Sequence, residues 1–261
     1  MEVIIRPDPT AATQLAAALI ADQVRTKPSS VLGLATGATM ERLYAELVRQ
    51  HKEEGLDFSL VRTFNLDEYV GLSPEDPHSY RHYMNAQLFN HINIDIRNTH
   101  LPHGQAEDLK LECRRYEALM QACGGVDLQL LGIGRSGHIG FNEPLSALQS
   151  RTRDKALTPT TIEQNEGYFP TPADMPRCGI TMGVGTILEA RDIVMLVTGS
   201  SKAAVIAKAV EGPITSMISA SALQMHPHCR TIVDEAAATD LTQQEYYHWI
   251  FENEDEWRAY R

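Results

Sequence analysis

The sequence is short of cysteine, of positive charge and of long apolar runs, and each shortage excludes a class of protein. Its four cysteines form no CxxC pair, which is too sparse for a disulfide framework or a zinc finger. Lys and Arg number 23 against 34 Asp and Glu, a net charge of −11, which argues against nucleic acid and anionic membranes as partners. Apolar runs fall far short of the roughly 20 residues that span a bilayer, and no signal-peptide pattern opens the chain. We therefore expect a cytoplasmic protein.

Short apolar segments rich in β-branched residues alternate with longer segments of helical periodicity. Strands are predicted at 3–5, 31–34, 61–65, 126–131, 193–197 and 231–233, and helices at 10–25, 40–54, 80–89, 108–122, 183–189 and 202–210. Crossover connections of this kind require a parallel sheet that helices cover. The pattern predicts a single α/β domain over residues 1–261, with a Rossmann-like open, mostly parallel sheet and helices on both faces. A less regular excursion is expected near 144–177, and a C-terminal helix over 243–255.

Two features that directly follow predicted strands have the chemistry of an anion site. Thr36, Gly37, Ala38 and Thr39 form a small-residue loop before a helix, where backbone N–H groups and the positive end of the helix dipole favour an anion. Lys202 lies in the first turn of another predicted helix, where a cation opposes the dipole unless an anion is near. The alternatives are an ordinary capped turn and a surface lysine.

Asp67 and Glu68 follow the predicted strand 61–65. Two adjacent carboxylates at a strand end are costly to bury, and on an extended backbone only one of them points to a given side. A carboxylate in a partly apolar pocket has a raised pKa and acts as a base. The alternative is an Asp that caps the next turn.

A glycine-rich loop, GIGRSGHIGFNEP, follows the strand 126–131. Its glycines allow the backbone to bend tightly and approach a ligand. His138 is followed five residues later by Glu143, and a carboxylate near a histidine fixes its tautomer and raises its basicity. These residues therefore indicate an acid/base centre. Ser136 does not lie in the GxSxG turn of a Ser–His hydrolase.

Seven segments together resemble the glucosamine-6-phosphate deaminase (isomerase) family. In chain order they read LGLATGAT, TFNLDEYVGL, LLGIGRSGHIGFNEP, SRTRDKAL, ITMGVGTILEA, VTGSSKA and SALQMHPH. The resemblance implies opening of the D-glucosamine 6-phosphate ring, isomerisation of the aldose, and release of ammonia and fructose 6-phosphate.

The resemblance also implies a role for each candidate residue. His138 would open the ring and Glu143 would orient it. Asp67 would move a proton from C2 to C1. The loop Thr36–Thr39 and Lys202 would hold the 6-phosphate. No metal or redox cofactor is required.

The chain departs from the family pattern at two positions. Ser136 stands where the family has Asp or Asn, and it can hydrogen-bond but carries no charge at neutral pH. Gly167 stands where the family has a phosphate-binding arginine, whose loss should weaken binding or change the substrate. Arg135 or Arg177 could compensate.

Some family members are hexamers that N-acetylglucosamine 6-phosphate activates at a subunit interface. The positions that resemble this effector site are Ser146, Arg153, Lys155 and Tyr246. The resemblance therefore raises a homo-oligomer and this effector as expectations. The alternative is that Arg153 and Lys155 are surface charges.

Three other functions remain open at this point. The changes at positions 136 and 167 suggest a deaminase of a related amino-sugar phosphate, such as galactosamine 6-phosphate. A 6-phosphogluconolactonase has a similar glycine-rich loop but lacks the DEY and FNEP combination. A sugar-phosphate sensor domain would carry a DNA-binding module ahead of it, and the first strand is expected at Val3.

Overall fold

The fold was analysed in a computed structural model, which describes residues 1–171 and 173–261. Over these residues the chain forms ten β-strands and nine α-helices. The strands are β1 (Glu2–Arg6), β2 (Val31–Leu34), β3 (Arg62–Asn65), β4 (Asp67–Tyr69), β5 (Thr99–His100), β6 (Leu128–Leu131), β7 (Arg153–Ala156), β8 (Cys178–Thr181), β9 (Asp192–Val197) and β10 (Cys229–Asp234). The helices are α1 (Pro9–Thr26), α2 (Ala38–Glu54), α3 (Tyr80–Gln87), α4 (Leu109–Ala122), α5 (Pro159–Asn165), α6 (Val184–Leu188), α7 (Ala203–Val210), α8 (Glu235–Ala238) and α9 (Gln244–Asn253).

Seven strands form the central sheet in the order β1-β10-β9-β6-β2-β3-β5, and every neighbouring pair is parallel. The inner strands β2 and β6 are fully buried and, apart from Gln129, apolar, as a sheet covered by helices requires. The predicted Rossmann-like α/β fold is confirmed. From β2 the chain builds toward β3 and β5, and from β6 it builds toward β9 and β10. This reversal between β2 and β6 opens a crevice at the carboxyl ends of the strands.

Local signals explain where the first two helices begin and end. The carboxylate of Asp8 accepts a hydrogen bond from the Ala11 N–H at the start of α1, and Pro9 occupies the first turn, where its missing N–H costs nothing. Helix α2 ends at Gly55, whose φ of 71° is a left-handed conformation that favours glycine. The helices pack alanine and leucine side chains against the apolar strands in the main core, and Tyr69, Phe141, Leu157 and Met175 form a second, smaller cluster.

A second sheet was not predicted. Strands β4, β8 and β7 form an antiparallel sheet in which Asp67 pairs with Thr181 and Asp154 pairs with Ile180. The stretch near 144–177, expected to be irregular, contains β7 and α5. Strand β7 reads Arg-Asp-Lys-Ala and is only half-buried. No apolar run marks it, because pairing with β8 orders it rather than burial of its own side chains.

The ends of two predicted helices also differ from expectation. The C-terminal helix expected over 243–255 ends at Asn253, and a 3-10 helix over Asp255–Tyr260 follows and buries Trp257. Lys202 does not start α7 but ends a separate 3-10 turn, Ser200–Lys202. The turn arises because Gly199 takes a φ of 92°, which bends the chain before the helix begins.

The carboxylate of Glu68 joins β4 to α3. It is buried and accepts hydrogen bonds from the backbone N–H groups of Tyr69, Tyr80 and Arg81 at 2.8, 2.9 and 2.9 Å. Burial raises the pKa of this carboxyl although these donors favour its charged form. Glu68 is therefore a structural anchor, and alternation along β4 turns Asp67 to the opposite side.

We expect Glu68→Ala to lower the free energy of unfolding by about 2–3 kcal/mol, because it leaves three buried N–H groups without their acceptor. Urea unfolding measures this change. The control is Glu75→Ala at an exposed carboxylate, which should stay within about 0.5 kcal/mol of the parent. Equal effects of the two substitutions would contradict the anchoring role.

Candidate active site

The predicted chemistry gathers in one cavity at the carboxyl ends of β9, β6, β2 and β3. The cavity has a volume of about 430 Å³, within the usual range for small-molecule sites. The residues predicted as ligand-contacting side chains and loops all line it: Thr36, Gly37, Ala38, Thr39, Asp67, His138 and Lys202. They come from four strand ends that the sheet order makes neighbours.

Asp67 is the buried carboxylate of this cavity. Burial, and secondly the charge of Glu68, raises its pKa to about 8. Gly140, with a φ of 53°, leaves open the space next to the Asp67 carboxylate. A side chain there would place its first carbon 2.8 Å from Thr181 Oγ1 and 3.4 Å from Asp67 Oδ2. A carboxylate with this pKa and an open face can act as a general base.

His138 is held by two partners on one side of its ring. Its Nδ1 lies 2.8 Å from Ser136 Oγ and 3.2 Å from Glu143 Oε2. Neither partner lines the cavity, so both act from behind the imidazole. Nε2 lies on the side of Gly134, where a side chain would come within 2.0 Å of it, so glycine is required for the ring to fit. This arrangement leaves Nε2 as the atom that can exchange protons with a ligand.

Glu143 is ionised and well anchored. Burial opposes its charge, but hydrogen bonds from His138 and Thr161 outweigh that penalty and lower its pKa. The Thr158 N–H donates to its Oε1 at 3.3 Å. A fixed negative charge beside Nδ1 favours a proton on that nitrogen and stabilises the imidazolium that forms when Nε2 takes a second proton.

The part of the cavity formed by the start of α2 and Lys202 has the features of an anion site. Gly37 has a φ of 118°, and among the described residues no side chain caps the start of α2. The first N–H groups of a 17-residue helix therefore point to the cavity without a side-chain acceptor. Lys202 is half-buried and its Nζ donates to the Ile133 carbonyl at 2.7 Å. Burial, and secondly the charge of Arg135, lowers its pKa.

Residues without a predicted role complete the cavity wall. Four residues of the segment 164–169 line the cavity, and Asn165 of this segment donates to the Tyr69 hydroxyl at 3.1 Å. The Tyr80 hydroxyl lies 3.4 Å from that of Tyr69 and also bonds with Thr36. Asn165 and Tyr69 are 96 residues apart, so no local pattern could have predicted their contact. The hydroxyls of Tyr69 and Tyr80 therefore link the segment 164–169 to the loop Thr36–Thr39, the anion loop.

The positions that depart from the family pattern have different surroundings. Ser136 is fully engaged with His138, as described above. Gly167 lies in an exposed 3-10 turn with no atom within 4 Å of where a side chain would start. Arg135 directly follows the cavity-lining residues Ile133 and Gly134, whereas Arg177 directly precedes β8.

The four positions predicted as an effector site do not all lie together in one chain. Arg153 donates to Ser146 Oγ at 3.0 Å and to Asn142 at 2.9 Å, and Lys155 follows on the same strand. Tyr246 is 56% exposed on α9, which packs against β1 at the far edge of the central sheet. It would have to come from a second copy to join the others.

The part of the chain that the structure describes contains neither a cluster of metal ligands nor a helix suited to a membrane. No group of three or more His, Cys, Asp or Glu side chains in residues 1–171 and 173–261 is placed to hold a metal ion. No helix in that part of the chain has the length and apolar character needed to cross a membrane.

Known structures resemble the fold closely. A solved monomeric glucosamine-6-phosphate deaminase superposes with a TM-score of 0.90 at 44% identity, over 92% of this chain and 100% of that one. A 6-phosphogluconolactonase from Trypanosoma brucei superposes with a TM-score of 0.68 at 18% identity, over 92% of this chain and 98% of that one. The second likeness shows the fold alone.

Sequence comparison leads to one family. The family model for glucosamine-6-phosphate isomerases and 6-phosphogluconolactonase matches residues 9–232. The glucosamine-6-phosphate deaminase of Hahella chejuensis is 48% identical over 96% of this chain and 95% of its own length. That of Shewanella loihica is 50% identical over 96% and 93%. The chain therefore belongs to the glucosamine-6-phosphate deaminase family.

Proposed function

We propose that this protein converts D-glucosamine 6-phosphate and water to D-fructose 6-phosphate and ammonia. One observation carries the proposal: a carboxylate base, a histidine held by a carboxylate, and an anion-binding loop with a lysine line the same cavity. The reaction needs proton donors and acceptors at the anomeric centre and at C2 and an anchor for the phosphate, and these residue types supply them.

The phosphate lies at the start of α2. The N–H groups of Ala38 and Thr39, the hydroxyls of Thr36 and Thr39, and the Lys202 ammonium surround it. Anchoring the charged end fixes the sugar relative to Asp67 and His138, which converts binding energy into orientation of the reacting carbons.

His138 opens the ring. Glu143 and Ser136 hold the proton on Nδ1, so Nε2 is free to accept a proton from the anomeric hydroxyl and to return one to the ring oxygen. The C1–O5 bond breaks and a C1 aldehyde forms. Glu143 stabilises the transient imidazolium at 3.2 Å.

Asp67 then performs the isomerisation. Its carboxylate takes the proton from C2, which yields an enolamine, and returns a proton to C1. Water adds to the resulting C2 imine, and ammonia leaves as the ketone forms. The raised pKa makes Asp67 a stronger base than an exposed carboxylate.

The oligomer and the effector stay predictions, as does the cytoplasmic location. Arg153 donates to Ser146 Oγ, which brings together two of the four positions of the proposed effector site. Tyr246 could complete it only across an interface. All four cysteines are free thiols, which supports a reducing compartment.

The proposed reaction is tested by ammonia release from the purified protein. We expect release from glucosamine 6-phosphate and much less from galactosamine 6-phosphate. Greater release from the galacto epimer would support the related amino-sugar deaminase instead. Absence of ammonia from both, together with hydrolysis of 6-phosphogluconolactone, would overturn the proposal.

We expect Asp67→Asn to abolish exchange of the C2 proton, a loss of roughly 10²–10⁴-fold. Fructose 6-phosphate should bind with nearly unchanged affinity, because the phosphate anchor is intact. In the parent, only the ionised carboxylate accepts the proton, so the rate should rise as pH rises through about 8. The rate of deuterium exchange, followed by NMR, measures the loss of C2 proton exchange and its dependence on pH. Parallel loss of fructose 6-phosphate binding would count against Asp67 as the base.

His138→Gln should slow turnover of the cyclic substrate by about 10²-fold, because Gln cannot transfer a proton to the ring oxygen. Exchange of the C1 proton of fructose 6-phosphate in the presence of ammonia begins from the ketose and should be less affected. Steady-state ammonia release and the exchange rate are compared in the same variant. An unchanged turnover rate would refute the ring-opening role.

A further inference from the structure

We infer that Arg135 is the second cation of the phosphate-binding end of the cavity, acting with Lys202 on the phosphate dianion. The inference rests on the proposed function for the identity of its ligand. It assigns a binding role to a residue that directly follows two cavity-lining residues but is not itself part of the cavity wall.

The charges at this end of the cavity require more than one lysine. A phosphate monoester carries about −1.5 to −2 at neutral pH. The first turn of α2 also places Glu41 in the cavity wall, and its carboxylate repels the same anion. Lys202 is the only Lys or Arg among the described residues that line the cavity. A single ammonium leaves the bound phosphate with excess negative charge.

The backbone places Arg135 next to Lys202. Arg135 directly follows Ile133 and Gly134, which line the cavity, and Lys202 Nζ donates to the carbonyl of Ile133 at 2.7 Å. The Arg135 N–H in turn donates to Gln164 Oε1 of the segment 164–169 at 3.4 Å. Arg135 therefore lies between Ile133, which Lys202 contacts, and Gln164 of the segment 164–169.

The side chain of Arg135 is available for a ligand. It is exposed, and none of the ion pairs of the described residues uses it. Burial, and secondly the charge of Arg135, lowers the pKa of Lys202. An anion between the two cations would relieve the effect of the Arg135 charge.

The segment 164–169 supplies no cation to the cavity. Residues 164–169 read Gln-Asn-Glu-Gly-Tyr-Phe, with one carboxylate and no Lys or Arg. A planar guanidinium can bind two phosphate oxygens at once. Arg135, whose backbone N–H donates to Gln164 of this segment, can supply one.

The inference is tested with Arg135→Gln, which keeps a long polar side chain and removes the charge. We expect the KM for glucosamine 6-phosphate to rise about 10-fold or more, as for loss of a charged hydrogen bond, with a smaller change in kcat. The matched control is Arg114→Gln on the exposed face of α4, which makes the same change in net charge and should leave KM unchanged.

A second measurement does not depend on catalysis. Inorganic phosphate should raise the Tm of the parent and of Arg114→Gln, and should raise that of Arg135→Gln much less, while the three proteins share one Tm without phosphate. Equal phosphate protection and equal KM in parent and Arg135→Gln would overturn the inference and leave the proposed function standing. Absence of ammonia release from the parent, with Arg135-dependent phosphate protection, would instead overturn the proposed function.

Discussion

The buried carboxylate of Glu68 is the interaction on which the rest of the site depends. Its three backbone hydrogen bonds join β4 to the start of α3. Once this carboxylate points into the protein, the extended backbone must turn Asp67 toward the cavity. The same bonds fix Tyr80, whose hydroxyl reaches the anion loop. One satisfied charge therefore sets the position of a neighbouring charge that is left unsatisfied.

The two adjacent carboxylates show how burial separates structural from chemical roles. Glu68 has backbone donors for both of its oxygens, and these compensate for its loss of water. Asp67 is buried beside that charge without comparable support, and its pKa rises to about 8. The cost to stability of an ionised Asp67 is the physical origin of its strength as a base. His138 is the converse case, since Ser136 and Glu143 both act on Nδ1 and leave Nε2 for the ligand.

Prediction from the sequence was most reliable for strands whose burial gives the sequence an apolar run. The apolar runs of β2, β6 and β9 indicated a parallel sheet, and parallel strands bring their carboxyl ends to one edge, so the loops that follow them were expected to meet. Strand β7 has no such pattern, because its charged side chains are ordered by pairing with β8. The segment 164–169 was not predicted as part of the site, because it is bonded to Tyr69 and Arg135, which lie far from it in the sequence.

The sequence by itself determined the fold class, the family and the kinds of chemical group that the site contains, because periodicity and short motifs are local properties. Only the tertiary structure decided which carboxylate faces the cavity, that Ser136 bonds to His138, and that Lys202 bonds to the carbonyl of Ile133, two residues before Arg135. It also placed Tyr246 on α9 against the edge strand β1, and Arg153 on β7 of the second sheet. These outcomes depend on distances between residues far apart in the chain, and such distances are set by packing and sheet order rather than by spacing along the sequence.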